Sequence, residues 1–146
     1  MIDLNSVELK GEISLLILAT ESRGKILKAI SKTLNIPLDT IEEKSTRQML
    51  TGYFGYPIEH FKFPLRGGRC EEVIRTIINE LPATDRNFLL ENIDDFTDKR
   101  GNLYIRLDKQ EACLGRLKLS DNDPVRIMIK GGRRELEKFI EGDKNV

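Results

Sequence analysis

A chain of 146 residues with 39% apolar and 33% charged side chains has the size and composition of one globular domain that buries its own core. Its 24 basic and 24 acidic residues cancel, which argues against a protein that coats nucleic acid non-specifically. The charge is uneven, however: residues 80–98 hold six acids and one base and residues 99–138 eleven bases and six acids, so one molecule can carry an acidic and a basic face.

Residues 1–10 are polar and read as a flexible N-terminus. Residues 13–20 are apolar on both parities, as in a strand buried on both faces. Residues 21–35 turn helical. Ile26, Leu27, Ile30 and Leu34 make the apolar stripe, Thr20 or Ser22 caps the start, and Pro37 prevents continuation. Arg23, Lys25, Lys28 and Lys32 read as its solvated face. Residues 42–51 are weakly patterned and suit an edge strand. Gly52 and Gly55 punctuate a turn, and residues 58–65 alternate, with Phe61, Phe63 and Leu65 on one parity and His60 and Lys62 on the other. Together these predict a hairpin, with Pro64 favouring an edge or a strand end. Arg66, Gly67, Gly68 and Arg69 form a basic, flexible link.

The spacing of Cys70, Val73, Ile74, Ile77, Ile78 and Leu81 predicts a helix over 70–81, ended by Pro82. Thr84 or Asp85 then caps a short helix to about residue 95, with Phe88, Leu89 and Ile93 inward. Leu103, Ile105 and Leu107 alternate with Tyr104 and Arg106, and Val125, Ile127 and Ile129 alternate with Arg126, Met128 and Lys130. Gly131 and Gly132 break the second of these strands. A last helix over 133–141 buries Leu136, Phe139 and Ile140, and 142–146 is a frayed tail. The order β-α-β-β-α-α-β-β-α over residues 11–141 points to a single-layer α+β domain, an antiparallel or mixed sheet with helices on one face.

Little in the chain supports catalysis. His60 is the only histidine and sits on the polar parity of a strand. Cys70 and Cys113 lack partner spacing; they leave one disulfide open, with two buried free thiols of a reducing compartment the preferred reading, and offer no zinc site. Asp94, Asp95 and Asp98 lack the spacing of a calcium loop. The Gly-Gly pairs match neither a P-loop nor a dinucleotide fingerprint. No cofactor and no metal are therefore expected. The start, MIDLNSVELKGE, shows no signal peptide, and the longest apolar run, 15–19, is too short to cross a bilayer, so the expectation is a cytoplasmic protein without membrane contact.

What remains is a basic surface. Arg106, Arg126 and Lys130 share the polar parity of two strands, and if those strands are neighbours the three cations share one face. Lys109, Gln110, Arg116 and Lys118 would rim it, donating to phosphates, sugar hydroxyls or base edges. The competing reading is an ordinary charged surface paired with Asp108, Glu111, Asp121 and Asp123. Tyr53, Phe54 and Tyr56, in the hairpin loop, are possible stacking platforms.

The run GNLYIRLDKQEACLGRL, residues 101–117, resembles the signature of an archaeal family of RNA-binding proteins and exosome subunits, in which the corresponding run reads G-x-L-x-L-R-L-D-K-Q-x-A-x-L-G. GYFGYPI resembles that family's glycine-centred hairpin, with Tyr53 and Tyr56 where His and Asn are common. The resemblance implies an α+β fold akin to a ribosomal protein that binds ribosomal RNA, cytoplasmic RNA binding, and a link to RNA processing or the exosome. It assigns Leu107, Ala112 and Leu114 to structure, Asp108 to a turn cap, Gly115 to backbone geometry, and Arg106, Lys109 and Gln110 to RNA. The expectation is thus a non-catalytic RNA-binding protein. The alternative is a protein–protein adaptor of an RNA-processing complex, docking through residues 85–98 with little RNA affinity of its own.

Overall fold

The computed structural model describes residues 8–144, with side chains as far as Ile140. Five alternating segments become strands: β1 (Lys10–Leu18), β2 (Thr46–Thr51), β3 (Pro57–Arg66), β4 (Leu103–Asp108) and β5 (Pro124–Lys130). All neighbours run antiparallel, in the order β2-β3-β1-β5-β4. The helices are α1 (Arg23–Leu34), α2 (Leu38–Lys44), α3 (Gly68–Glu80), α4 (Ala83–Glu91), α5 (Lys109–Cys113) and α6 (Gly132–Lys144).

Odd-numbered strand residues form the floor of the core. Ile13, Leu15 and Ile17 of β1, Phe61, Phe63 and Leu65 of β3, Leu103, Ile105 and Leu107 of β4, and Val125, Ile127 and Ile129 of β5 are all buried. They meet Ile26, Leu27, Ile30 and Leu34 of α1, Val73, Ile74, Ile77 and Ile78 of α3, and Leu136 of α6. Burial of each such side chain contributes about 1.5–3 kcal/mol. Ser22 caps α1, accepting from the Lys25 N–H at 3.4 Å, and Asn35 ends it in the left-handed region at φ 56°. The helices pack on this one face. The α+β architecture and the antiparallel sheet are therefore those the sequence leads one to expect.

Some elements differ from expectation. β1 is buried on one face only: Leu16 is half-buried and Leu18 exposed, because no helix among the described residues lies against the other side. Residues 38–44 form α2, with Ile41 its single buried residue, so no apolar stripe announces it; the edge strand begins after it. α4 begins earlier than a Thr84 or Asp85 cap would place it: Pro82 stands at its N-cap without a side-chain bond, and the Asp85 carboxylate, inside the first turn, accepts from the Leu119 N–H at 2.9 Å. Phe88 points outward, 54% exposed, while Leu89 enters the core. Cys70 and Cys113 are both free, but only Cys70 is buried, and burial pushes its thiol up to about 11. Arg23 leaves the solvated lysine face of α1 to bond Glu59 at 3.1 Å. Pro64 lies beyond the last β2 residue paired to β3, where that strand has a neighbour on one side only.

Residues 1–7 of the expected flexible N-terminus lie outside the described residues. Leu9 packs on the core and accepts from the Gly67 N–H at 2.7 Å, and Lys10 opens β1. At the other end, α6 continues through Lys144, and residues 145–146 lie outside the described residues. Among the described residues, no helix is long and apolar enough to cross a membrane.

One-sided burial has a direct test. Phe61→Ala should cost about 3–5 kcal/mol in chemical denaturation. Phe88→Ala, which removes only a ring lying edge-on to Phe96 at 5.9 Å, should cost about 1 kcal/mol or less. Equal losses would place Phe88 in the core.

Candidate nucleic-acid interface

The parity that buries the odd residues of β1, β3, β4 and β5 turns their even ones outward, β2 continues the sheet at its edge, and among the described residues no helix covers this face. Strand register sets these residues in rows. Arg106 lies opposite Arg126, Arg126 beside Ser14, Ser14 beside Lys62, and Lys62 beside Thr46. Two rows away, Lys10 lies between Lys130 and Arg66. Tyr104, Met128, Glu12 and Pro64 fill the row between. On the opposite side of the arginine row come Leu16, His60 and Gln48, then Leu18, Ile58 and Leu50. Rows are about 6.6 Å apart along the strands, and neighbouring strands about 4.8 Å apart across them.

Lys118 joins this face at its margin. Residues 118–120 run along the outer edge of β4, with Leu119 bridged to Leu107, the Asp108 N–H donating to the Lys118 carbonyl at 2.8 Å and the Ser120 N–H to the Arg106 carbonyl at 3.1 Å. Leu117 and Leu119 turn toward the core, so Lys118 has the outward parity. Arg106, Lys118, Arg126 and Lys130 are thus brought together, and Lys10, Lys62 and Arg66, which the sequence reading did not include, stand with them. Among the described residues, the ion pair of this set is Arg106 with Asp121, at 3.4 Å and with Asp121 90% exposed. Such a pair contributes little.

Three expected contacts lie elsewhere. Lys109 is buried, 2% exposed, and does not reach the surface. Its Nζ donates to the Leu16 carbonyl at 2.9 Å, to Glu21 at 2.8 Å and to Asp123 at 2.6 Å. Asp108 caps α5, accepting from the Glu111 N–H at 2.8 Å, and this turn carries Lys109 inward. Gln110 is held by Glu21 at 3.3 Å and Arg116 by Glu111 at 2.9 Å. Both side chains flank α5 on the helix side of the molecule, where a groove runs between α5 and α1. Leu114, expected to be structural, is 66% exposed; Gly115, at φ 82°, does serve backbone geometry. Burial by itself would raise the Glu21 carboxyl. The Lys109 ammonium, the Leu18 N–H and Gln110 together hold it below its ordinary value.

The acidic run is tied into the fold. Asp98 accepts from the N–H groups of Arg100 and Asn102, each at 2.9 Å, and from the Tyr104 hydroxyl at 3.1 Å. The hydrogen bonds from Asn102 lead in lowering its pKa, and its carboxylate raises that of Tyr104. Asp94 pairs with Arg133 at 2.6 Å. Tyr53, Phe54 and Tyr56 stand in solvent at the β2–β3 tip.

A family model described as RNA binding matches residues 12–131, a span that includes the signature and the hairpin. An RNA-binding protein of Pyrococcus abyssi is 30% identical over 127 residues, 84% of this chain and 82% of its own. An uncharacterized protein of Methanocaldococcus jannaschii is 32% identical over 125 residues, 84% of this chain and 80% of its own. Among solved structures, a DUF54 protein of Sulfolobus solfataricus superposes with a TM-score of 0.73 at 21% identity, covering 92% of this chain and 98% of that one. The resemblance to the archaeal RNA-binding family and the expected α+β fold are borne out.

The burial of Lys109 makes it a stability residue. Lys109→Met should lower unfolding free energy by about 3 kcal/mol, the low end for a broken buried pair, because Asp123 stays partly solvated. Glu21 has a lowered carboxyl, so its contribution is present above the ordinary value of 4.5 and is lost as pH falls through the folded-state value. The gap between wild type and Lys109→Met in urea titrations should therefore narrow in acid. A variant of unchanged stability would contradict this role for Lys109.

Proposed function

The chain belongs to the RNA-binding family, and we propose that it binds RNA, without catalysing a reaction, through phosphate and sugar contacts on the open face of its sheet. One observation carries this reading. Arg106 faces Arg126, and Lys10 faces both Lys130 and Arg66, in direct register on neighbouring strands. Like charges directly opposite destabilise a sheet. A polyanion laid across the rows converts that cost into favourable contacts, which is what a phosphate backbone supplies. Arg106, Lys118, Arg126 and Lys130 are the cations of this face read from the sequence, and Lys10, Lys62 and Arg66 extend it.

The face is shallow and rich in charge, so recognition rests mainly on backbone shape, with His60 and Gln48 as donors or acceptors to sugar or base edges. The internal bonds of Asp85, Asp94 and Asp98 weigh against a docking role for residues 85–98. A link to RNA processing or the exosome is the further part of the proposal, and its support is the family resemblance.

Fluorescence anisotropy with a structured and a single-stranded RNA, at several salt concentrations, tests the face. Arg106→Ala, Arg126→Ala and Lys62→Ala combined should weaken binding by at least about tenfold and flatten the salt slope by about 0.7–0.9 for each phosphate no longer neutralised. Its melting temperature should be unchanged or higher, because repulsion is removed. Lys28→Ala with Lys32→Ala, on α1, should leave affinity nearly intact. The opposite ranking would move the site to the helix side.

A further inference from the structure

We propose that the β2–β3 tip is a stacking platform for an unpaired base, so that the RNA bound on the open face carries unpaired nucleotides. This rests on the RNA-binding reading and names the class of RNA. Tyr53 is 97% exposed, Phe54 83% and Tyr56 68%, three large rings in a segment that packs against no core. Residues 48–58 contain no charged side chain in a chain that is 33% charged. Exposed apolar surface of this kind marks a binding site.

The tip is pre-formed. The Gly52 N–H donates to the Tyr56 carbonyl at 2.7 Å and the Gly55 N–H to the Gly52 carbonyl at 2.9 Å, while Gly55 takes φ 83°, a conformation open to glycine. Tyr53 and Phe54 meet edge to face, with centroids 5.0 Å apart. Rings held this way lose little entropy on binding a third ring.

The tip also continues the proposed RNA surface. Leu50, Ile58 and Leu18 lie side by side at the tip end of the open face, and Lys62 stands four residues along β3 from Ile58. That separation is about 13 Å, a few nucleotides of backbone. A ring at the tip needs the free face of a base. Inside a duplex those faces are covered by neighbouring bases; in a loop or overhang they are open. Cations for the backbone and rings for a base therefore call for an RNA that offers unpaired nucleotides close to the backbone the cations hold.

The test uses two RNAs sharing one stem: a hairpin with 2-aminopurine in its loop, and a blunt duplex. Wild type should prefer the hairpin by at least about fivefold, with a change in 2-aminopurine fluorescence on binding. Tyr53→Ala, Phe54→Ala and Tyr56→Ala combined should lose both the preference and the fluorescence change while keeping wild-type affinity for the duplex. Tyr53→Phe with Tyr56→Phe should retain both, because the ring face and not the hydroxyl is used. Equal binding of the two RNAs by wild type, or a triple variant that keeps the preference, overturns the platform and leaves the sheet reading standing. A triple variant that changes only self-association in sedimentation also overturns it, in favour of a protein contact. Failure of wild type to bind either RNA overturns both readings.

Discussion

Four of the five strands, β1, β3, β4 and β5, bury their odd-numbered side chains against the helices, while the edge strand β2 is exposed throughout, and this shared parity is the constraint on which the rest of the molecule depends. Antiparallel register carries it from strand to strand: Leu103 to Ile129, Ile127 to Ile13, Ile13 to Phe63. A shift of one residue in any of these four strands would expose its core residues and turn its outward side chains into the core, so their pairing is strongly specified. With α1, α3 and α6 all on the odd side, the even side remains open. The cation rows follow from the same alternation that builds the core. Their mutual repulsion is tolerated because burial on the other face outweighs it, several kcal/mol per strand against a few tenths per like-charged pair.

The most recognisable segment of the chain does structural work beside this face. Asp108 ends β4 by capping α5, and the turn swings Lys109 under the end of β1. There one ammonium gathers the Leu16 carbonyl, Glu21 and Asp123, so that the exit of β1, the entry to α1, the end of β4 and the approach to β5 are held at one point. A buried amine needs this full set of oxygens, since an unpaired charge there would be costly. Gln110 adds a bond to the same Glu21. The signature thereby fixes the relation of β4 to β1 and β5, which is what brings Arg106 to Arg126.

Much of the fold could be read from alternation and helical spacing: the hairpin, the helix at 70–81, and the β4 and β5 strands with Arg106, Arg126 and Lys130 on one side. What stayed hidden depended on strand order and long-range partners. Lys62 was visible on the polar parity of its strand, but only the placement of β1 between β3 and β5 sets it in the row of Arg106 and Arg126. Lys109 continues the inward parity of Leu103, Ile105 and Leu107, a signal of its burial. Its partners Glu21 and Asp123 lie far off in sequence, so beyond that parity nothing local distinguishes it from a surface lysine. Phe88 and Leu89 are adjacent apolar residues in a short helix, and periodicity alone does not say which one turns inward. α2 is silent in the sequence because a seven-residue helix anchored by Ile41 alone has no apolar stripe.

The claim that RNA lies on the open sheet face is tested most directly by amide chemical-shift mapping of isotope-labelled protein titrated with a structured RNA. The expected result is a continuous footprint over Lys10–Leu18, Pro57–Arg66, Leu103–Asp108 and Pro124–Lys130, strongest at Arg106, Arg126 and Lys62, with α1, α3 and α6 little changed. A footprint confined to the groove between α1 and α5, around Lys28, Lys32 and Arg116, would contradict the account and make the helix side the binding face.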